Sequence, residues 1–136
     1  MRVTPDHRRH AVVPAFWADF YEETGVPAAV AARGCLHVTG HTGTLEDGSL
    51  PDDAESQIRQ TFRNLAITLA EAGASWADVV QVNSFHVGLQ AQSDILLRVA
   101  AEFLAEPYPA WTAVGIAELF EQGALVEISC IALLAD

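Results

Sequence analysis

Two stretches of the chain repeat apolar residues at helical spacing, and each is bracketed by runs with the character of β-strands. That alternation constrains the fold more than any other feature. In residues 53–72, Ile58, Phe62, Leu65 and Leu69 recur at the 3.6-residue period that gives a helix one apolar face. Asp52 or Asp53 is placed to cap its start, and Ala72-Gly73 supplies a stop. In residues 92–105, Ile95, Leu96, Val99 and Phe103 share a second face, ended by Pro107-Tyr108-Pro109. Strand-like runs cover residues 28–32, 35–39, 79–87, 111–117 and 124–133. Arg33-Gly34 and Glu121-Gln122-Gly123 serve as turns. The order β-β-α-β-α-β-β predicts a two-layer α+β domain, a mixed sheet with two helices on one face. The strands carry Val, Ile and Ala on both sides, so the other face is expected to meet another subunit.

A length of 136 residues allows one domain over 1–136, read as an arm (1–27) and a core (28–133). The first ten residues are polar and expected to be loose. Phe16, Trp17, Phe20 and Tyr21 predict a short helix or ordered arm ending at Gly25 and Pro27. The N-terminus lacks the apolar stretch of a signal peptide, and no apolar run approaches the roughly 20 residues of a membrane span.

Seven basic and eighteen acidic side chains give a net charge of −11. Nucleic acid and anionic membrane surfaces are therefore not expected partners, since both demand dense cationic side chains. All the basic residues are Arg, so the lack of Lys excludes chemistry through a lysine Schiff base. Cys35 and Cys130 form no CxxC pair and no His/Cys cluster has zinc spacing, so both are read as buried thiols in a reducing cytoplasm.

Glu127 stands in the apolar run Leu125-Val126-Glu127-Ile128-Ser129-Cys130-Ile131. A carboxylate there either points into a cleft and orients water or a substrate donor, or faces solvent or pairs with an Arg. Alternation groups Glu127 with Ser129 and Ile131, and Trp111 with Ala113 and Gly115. Trp111 is either the wall of a pocket or a core or interface residue. Of the strand histidines His37, His41 and His86, His41 is the strongest site candidate, because Gly40 and Gly43 leave its surroundings open. A packed, hydrogen-bonded histidine is the alternative, and no metal site is expected.

These residues resemble the reactive intermediate deaminase (Rid, YjgF-like) family. The likeness runs through Gly34-Cys35-Leu36-His37-Val38-Thr39-Gly40-His41, through Gln57 to Leu65, and through Leu69-Ala70-Glu71-Ala72-Gly73. It continues in Asp78-Val79-Val80-Gln81-Val82, Pro109-Ala110-Trp111-Thr112-Ala113-Val114 and Val126-Glu127-Ile128. The resemblance implies a chorismate-mutase-like fold, a homotrimer whose sheets form a central barrel, and clefts between neighbouring subunits. It implies hydrolysis of enamines and imines without metal or cofactor, with Glu127 holding the attacking water. Where the family places the arginine that fixes a substrate carboxylate, this chain has Trp111, and where it places a cleft tyrosine the chain has Val26.

The expected function is that of a divergent member, hydrolysing or binding a neutral or aromatic imine, enamine or amide-like small molecule. Glu127 would be catalytic, and Trp111, His41, Ala113 and Gly40 would contact the ligand. A non-catalytic binding or structural trimer and a conventional 2-imino-acid deaminase are the alternatives. The net charge gives the family's older endoribonuclease label no physical support.

Overall fold

The computed structural model describes residues 8–135. Six strands form one mixed sheet: β1 (Arg9–Val12), β2 (Ala29–Ala32), β3 (Cys35–His41), β4 (Val79–His86), β5 (Ala110–Gly115) and β6 (Val126–Leu133). Their order across the sheet is β1-β2-β3-β6-β4-β5. β4 and β5 run parallel, and the other neighbouring pairs are antiparallel. The helices are α1 (Ala18–Thr24), α2 (Ala54–Glu71) and α3 (Leu89–Ala100). The expected α+β sheet is present, with α2 and α3 on one face.

The termini of α2 follow the sequence signals. Asp53 Oδ2 accepts the Ser56 N–H at 2.9 Å, which satisfies one of the orphan donors of the first turn. At the other end Gly73 takes φ 78°, and Gly73 and Ala74 donate back to Ala70 and Leu69. The buried face of α2 carries Ile58, Phe62, Leu65 and Leu69, packed on Leu36 and Val38 of β3 and on Val126, Ile128 and Cys130 of β6. Burial pushes the Cys130 thiol up to about 12, which makes it an inert core residue.

Two boundaries differ from expectation. α3 begins at Leu89, after the left-handed Gly88, and stops at Ala100. Phe103 reaches the core from the turn beyond and stacks on Phe62 at 5.1 Å between ring centres. Its helical spacing with Val99 thus arose without a helix. In the segment expected to be loose, residues 9–12 form edge strand β1, with Ala11 paired to Val30; residues 1–7 lie outside the described ones. The short aromatic helix is α1, ended by Gly25 at φ 76°.

The loop 116–125 between β5 and β6 is bolted to α2 by Gln57, which is 2% exposed. Gln57 Nε2 donates to the carbonyls of Pro51 and Gly123 at 2.9 and 3.2 Å, and its Oε1 accepts the Leu125 N–H at 2.8 Å. Next to it, Gly43 touches the backbone of α2: a Cβ there would lie 2.5 Å from the Gln57 carbonyl oxygen. Backbone cannot swing aside as a side chain can. Gly43→Ala is therefore expected to cost about 1–3 kcal/mol, read as a lower urea midpoint at unchanged m-value.

Candidate functional site

Cross-strand register decides which side chains share a face, because paired residues point to the same side of a sheet. Glu127 pairs with Phe85 on β4, and Phe85 with Val114 on β5. Its neighbours Val126 and Ile128 are fully buried under the helices, so Glu127, Phe85 and Val114 lie on the uncovered face. His37 of β3 is on that face too, through its pairing with Ile131.

Glu127 lies across β3 at Gly40. A Cβ on Gly40 would stand 2.7 Å from both the Cδ and an Oε of Glu127, so the missing side chain is what lets the carboxylate settle there. Among the described residues no hydrogen-bond donor reaches that carboxylate. Partial burial pushes its proton affinity up, and the charge of Glu121 adds to the effect. Glu127 and Gly40, two residues singled out from the sequence, are thus brought together.

Trp111 and Ala113 do not join them. Trp111 pairs with Val82, which is fully buried, and Ala113 pairs with Ser84, so both belong to the helix side of β5. Alternation orders residues within a strand but says nothing about the phase between strands. Within one chain Trp111 and Glu127 therefore point to opposite sides. The Trp111 indole packs towards Phe62 at 6.3 Å between ring centres, and its Nε1–H donates to Ser84 Oγ at 2.8 Å.

That contact ends a directed chain of buried hydrogen bonds. Gln92 Nε2 donates to the carbonyls of Val87 and Leu125, so its Oε1 faces His86 as an acceptor. His86 Nδ1 must then carry the proton, and its bare Nε2 accepts from Ser84 Oγ–H at 2.8 Å. Burial lowers the proton affinity of His86 and keeps the ring neutral.

His41 is also corrected. The expectation of open surroundings fails because β3 carries an extra residue: Val38 pairs with Cys130 and His41 with Ile128, so three steps on β3 match two on β6. The bulge turns His41 to the helix side, where it is 1% exposed. Its Nδ1–H donates to the Thr39 carbonyl and its Nε2 accepts from Thr68 Oγ1–H, each at 2.7 Å. Trp17 covers it at 4.5 Å between ring centres and Phe16 at 6.0 Å. It is the packed, hydrogen-bonded histidine.

One residue near the site was read from the sequence only as part of a turn. Glu121 accepts hydrogen bonds from the hydroxyls of Thr42 and Thr44, the latter at 2.9 Å from both carboxylate oxygens. Asn64 of α2 donates to the carbonyls of Thr42 and Thr44 at 2.9 Å each and fixes that segment. The only signal was Thr-Gly-Thr directly after a strand. Glu121 lines a recess of about 390 Å³ with Gln57 and Pro51. A larger one of about 670 Å³ lies between Leu89 and Ile116. Glu127 lines neither.

A mixed sheet with two helices on one face is the fold shared with solved structures of the YjgF class, among them a Mycobacterium tuberculosis member that superposes with a TM-score of 0.80 at 28% identity, covering 93% of this chain and 99% of that one. The family model described as Endoribonuclease L-PSP matches residues 18–134, and the chain belongs to this Rid/YjgF family. It is 41% identical over 109 residues to the RutC family protein YjgH of Escherichia coli, spanning 79% of this chain and 83% of the relative. It is 32% identical over 108 residues to a 2-iminobutanoate/2-iminopropanoate deaminase of Dermatophagoides farinae, spanning 77% of each. A solved structure of protein YJGH superposes with a TM-score of 0.86 at 39% identity, covering 95% of this chain and 98% of that one.

Burial pushes the His41 imidazole down to about 4 against the hydrogen bond to Thr39. In the unfolded chain it titrates near 6.5. The unfolded state then binds the proton first, so stability is full above pH 6.5 and drains as pH falls towards 4. The loss is expected to reach about 3 kcal/mol. Urea unfolding at pH 7, 5.5 and 4 should show a steeper loss of stability in the wild type than in His41→Asn, which keeps only the smaller share from His86 and the other titrating groups.

Proposed function

We propose that the chain hydrolyses small neutral or aromatic imines and enamines, with Glu127 as the catalytic residue. The observation that carries this reading is the Glu127 carboxylate on the uncovered sheet face, seated on Gly40, with no donor among the described residues consuming it. A carboxylate so placed is free to hold water or a substrate N–H. The relative named as a 2-iminobutanoate/2-iminopropanoate deaminase supports the reaction class.

The proton balance needs only one shuttling carboxylate. Glu127 takes a proton from water as the water oxygen bonds to the imine carbon, and returns it to the nitrogen, whose C=N π pair becomes a lone pair. In the carbinolamine Glu127 takes the hydroxyl proton while C=O forms. The C–N bond breaks, and the nitrogen leaves with the proton from Glu127 as ammonia or an amine. An enamine enters the same path once protonated at carbon.

Trp111 stands where the resemblance places a carboxylate-binding arginine. Its N–H is already spent on Ser84, so it offers a substrate carboxylate no fork of donors. Trp111 and Glu127 of one chain face opposite sides, so a cleft holding both draws them from two copies. This supports a homotrimer with inter-subunit clefts. The exposed apolar side chains of the uncovered face, Val114 and Leu133 among them, fit burial between copies.

Following imine loss with the imine generated in place, Glu127→Gln should slow hydrolysis by about 10²–10⁴-fold at unchanged thermal stability. Imines bearing a carboxylate should be poorer substrates than neutral ones; the reverse order would assign a conventional 2-imino-acid deaminase. Sedimentation equilibrium at micromolar concentration should give the mass of three chains, and a stable monomer would remove the shared cleft.

A further inference from the structure

Trp111 lies on β5, an edge strand of the sheet in this chain. It is only partly buried, and Ala113, two residues on along the same side, is small and exposed. An indole in such a place turns about its side-chain torsions unless something holds it. Here its Nε1–H ends a chain of buried polar side chains, with Ser84 and His86 at 0% and Gln92 at 3% exposure. Each link fixes the next. The Gln92 amide is oriented by the carbonyls of Val87 and Leu125, at 2.9 and 3.1 Å from its Nε2. Its Oε1 then accepts from His86 Nδ1–H at 2.8 Å, and the bare His86 Nε2 accepts from Ser84 Oγ–H at 2.8 Å. A serine hydroxyl alone is a free rotor. This one has its proton committed to His86, which leaves its oxygen lone pairs for the indole N–H. Apolar side chains could fill the same space at little cost in stability. They could not hold an indole in one plane.

We propose that Ser84, aligned by His86 and Gln92, is a positioning residue that locks the Trp111 indole as a rigid stacking wall and so selects substrates carrying a flat ring; this rests on the cleft between copies put forward above, with Trp111 as one wall. An indole already held in one plane stacks on an aromatic ring without first losing torsional freedom, whereas a loose one gives up part of the gain in being ordered. A saturated ring of similar size gains apolar contact from the indole without needing a fixed plane, so it reports burial alone.

Two neutral imines generated in place are compared, one bearing phenyl and one cyclohexyl. The wild type is expected to favour phenyl in kcat/KM. Ser84→Ala should cut that preference by about 3- to 10-fold, mainly through KM. In a Trp111→Phe background, where no N–H remains to be held, Ser84→Ala should change the preference no further. The Trp111 indole ¹⁵N–H signal, assigned by its loss in Trp111→Phe, should exchange with solvent faster in Ser84→Ala. Ser84→Cys, close to serine in size but a weak acceptor, decides the matter in the same way should Ser84→Ala fail to fold. An unchanged phenyl preference in the Ser84 variant, or an equal loss with and without the Trp111 N–H, overturns the proposal. So does a wild type that does not distinguish the two rings. A wild type that hydrolyses neither imine overturns the catalytic reading of Glu127 and leaves the stacking wall to be decided by the same comparison in the binding of benzamide and cyclohexanecarboxamide.

Discussion

The arrangement on both faces of the sheet depends on one extra residue in β3. Between Val38 and His41 the strand takes three steps where β6 takes two. Without that bulge, simple alternation would turn His41 away from the helices, leaving Thr68 without its partner. It would also bring another side chain to the place where Gly40 faces Glu127. The bulge inserts a polar group into the helix-facing layer and leaves bare backbone under a carboxylate on the other side. Bulges commonly re-aim side chains near functional sites, and here one irregularity re-aims two.

The buried polar groups around it work as fasteners between elements that hydrophobic packing would leave free to slide. Gln57 ties the β5–β6 loop to the first turn of α2. Asn64 ties the segment after β3 to the middle of α2, and His41 ties the strand end to its last turn. Each is within the layer where an unpaired polar atom costs most, and each is fully paired. Hydrophobic burial sets the two-layer form, while these directional bonds set where the loops stand along it.

The architecture was legible because its signals are local. The period of Ile58, Phe62, Leu65 and Leu69, the cap at Asp53 and the stop at Gly73 each act within a few residues. Glu127 was legible for a related reason, since a carboxylate inside an apolar strand contradicts its neighbours. The misplacements came from quantities that exist only between segments. Whether Trp111 shares a face with Glu127 depends on the register of β5, β4 and β6, which no single strand encodes. His41 was misread because a bulge changes parity without leaving a mark in composition. Glu121 was passed over because its partners, Thr42 and Thr44, are almost eighty residues away in the chain.

The ion pairs on the helix layer are made by guanidinium groups, Arg59 and Arg98, in a chain that holds no lysine. Hydrolysis of an imine releases a carbonyl compound, and carbonyl compounds condense with side-chain amines. Guanidinium is far less nucleophilic than an amine, so a chain whose side-chain cations are all arginine offers a carbonyl compound no side-chain amine to condense with.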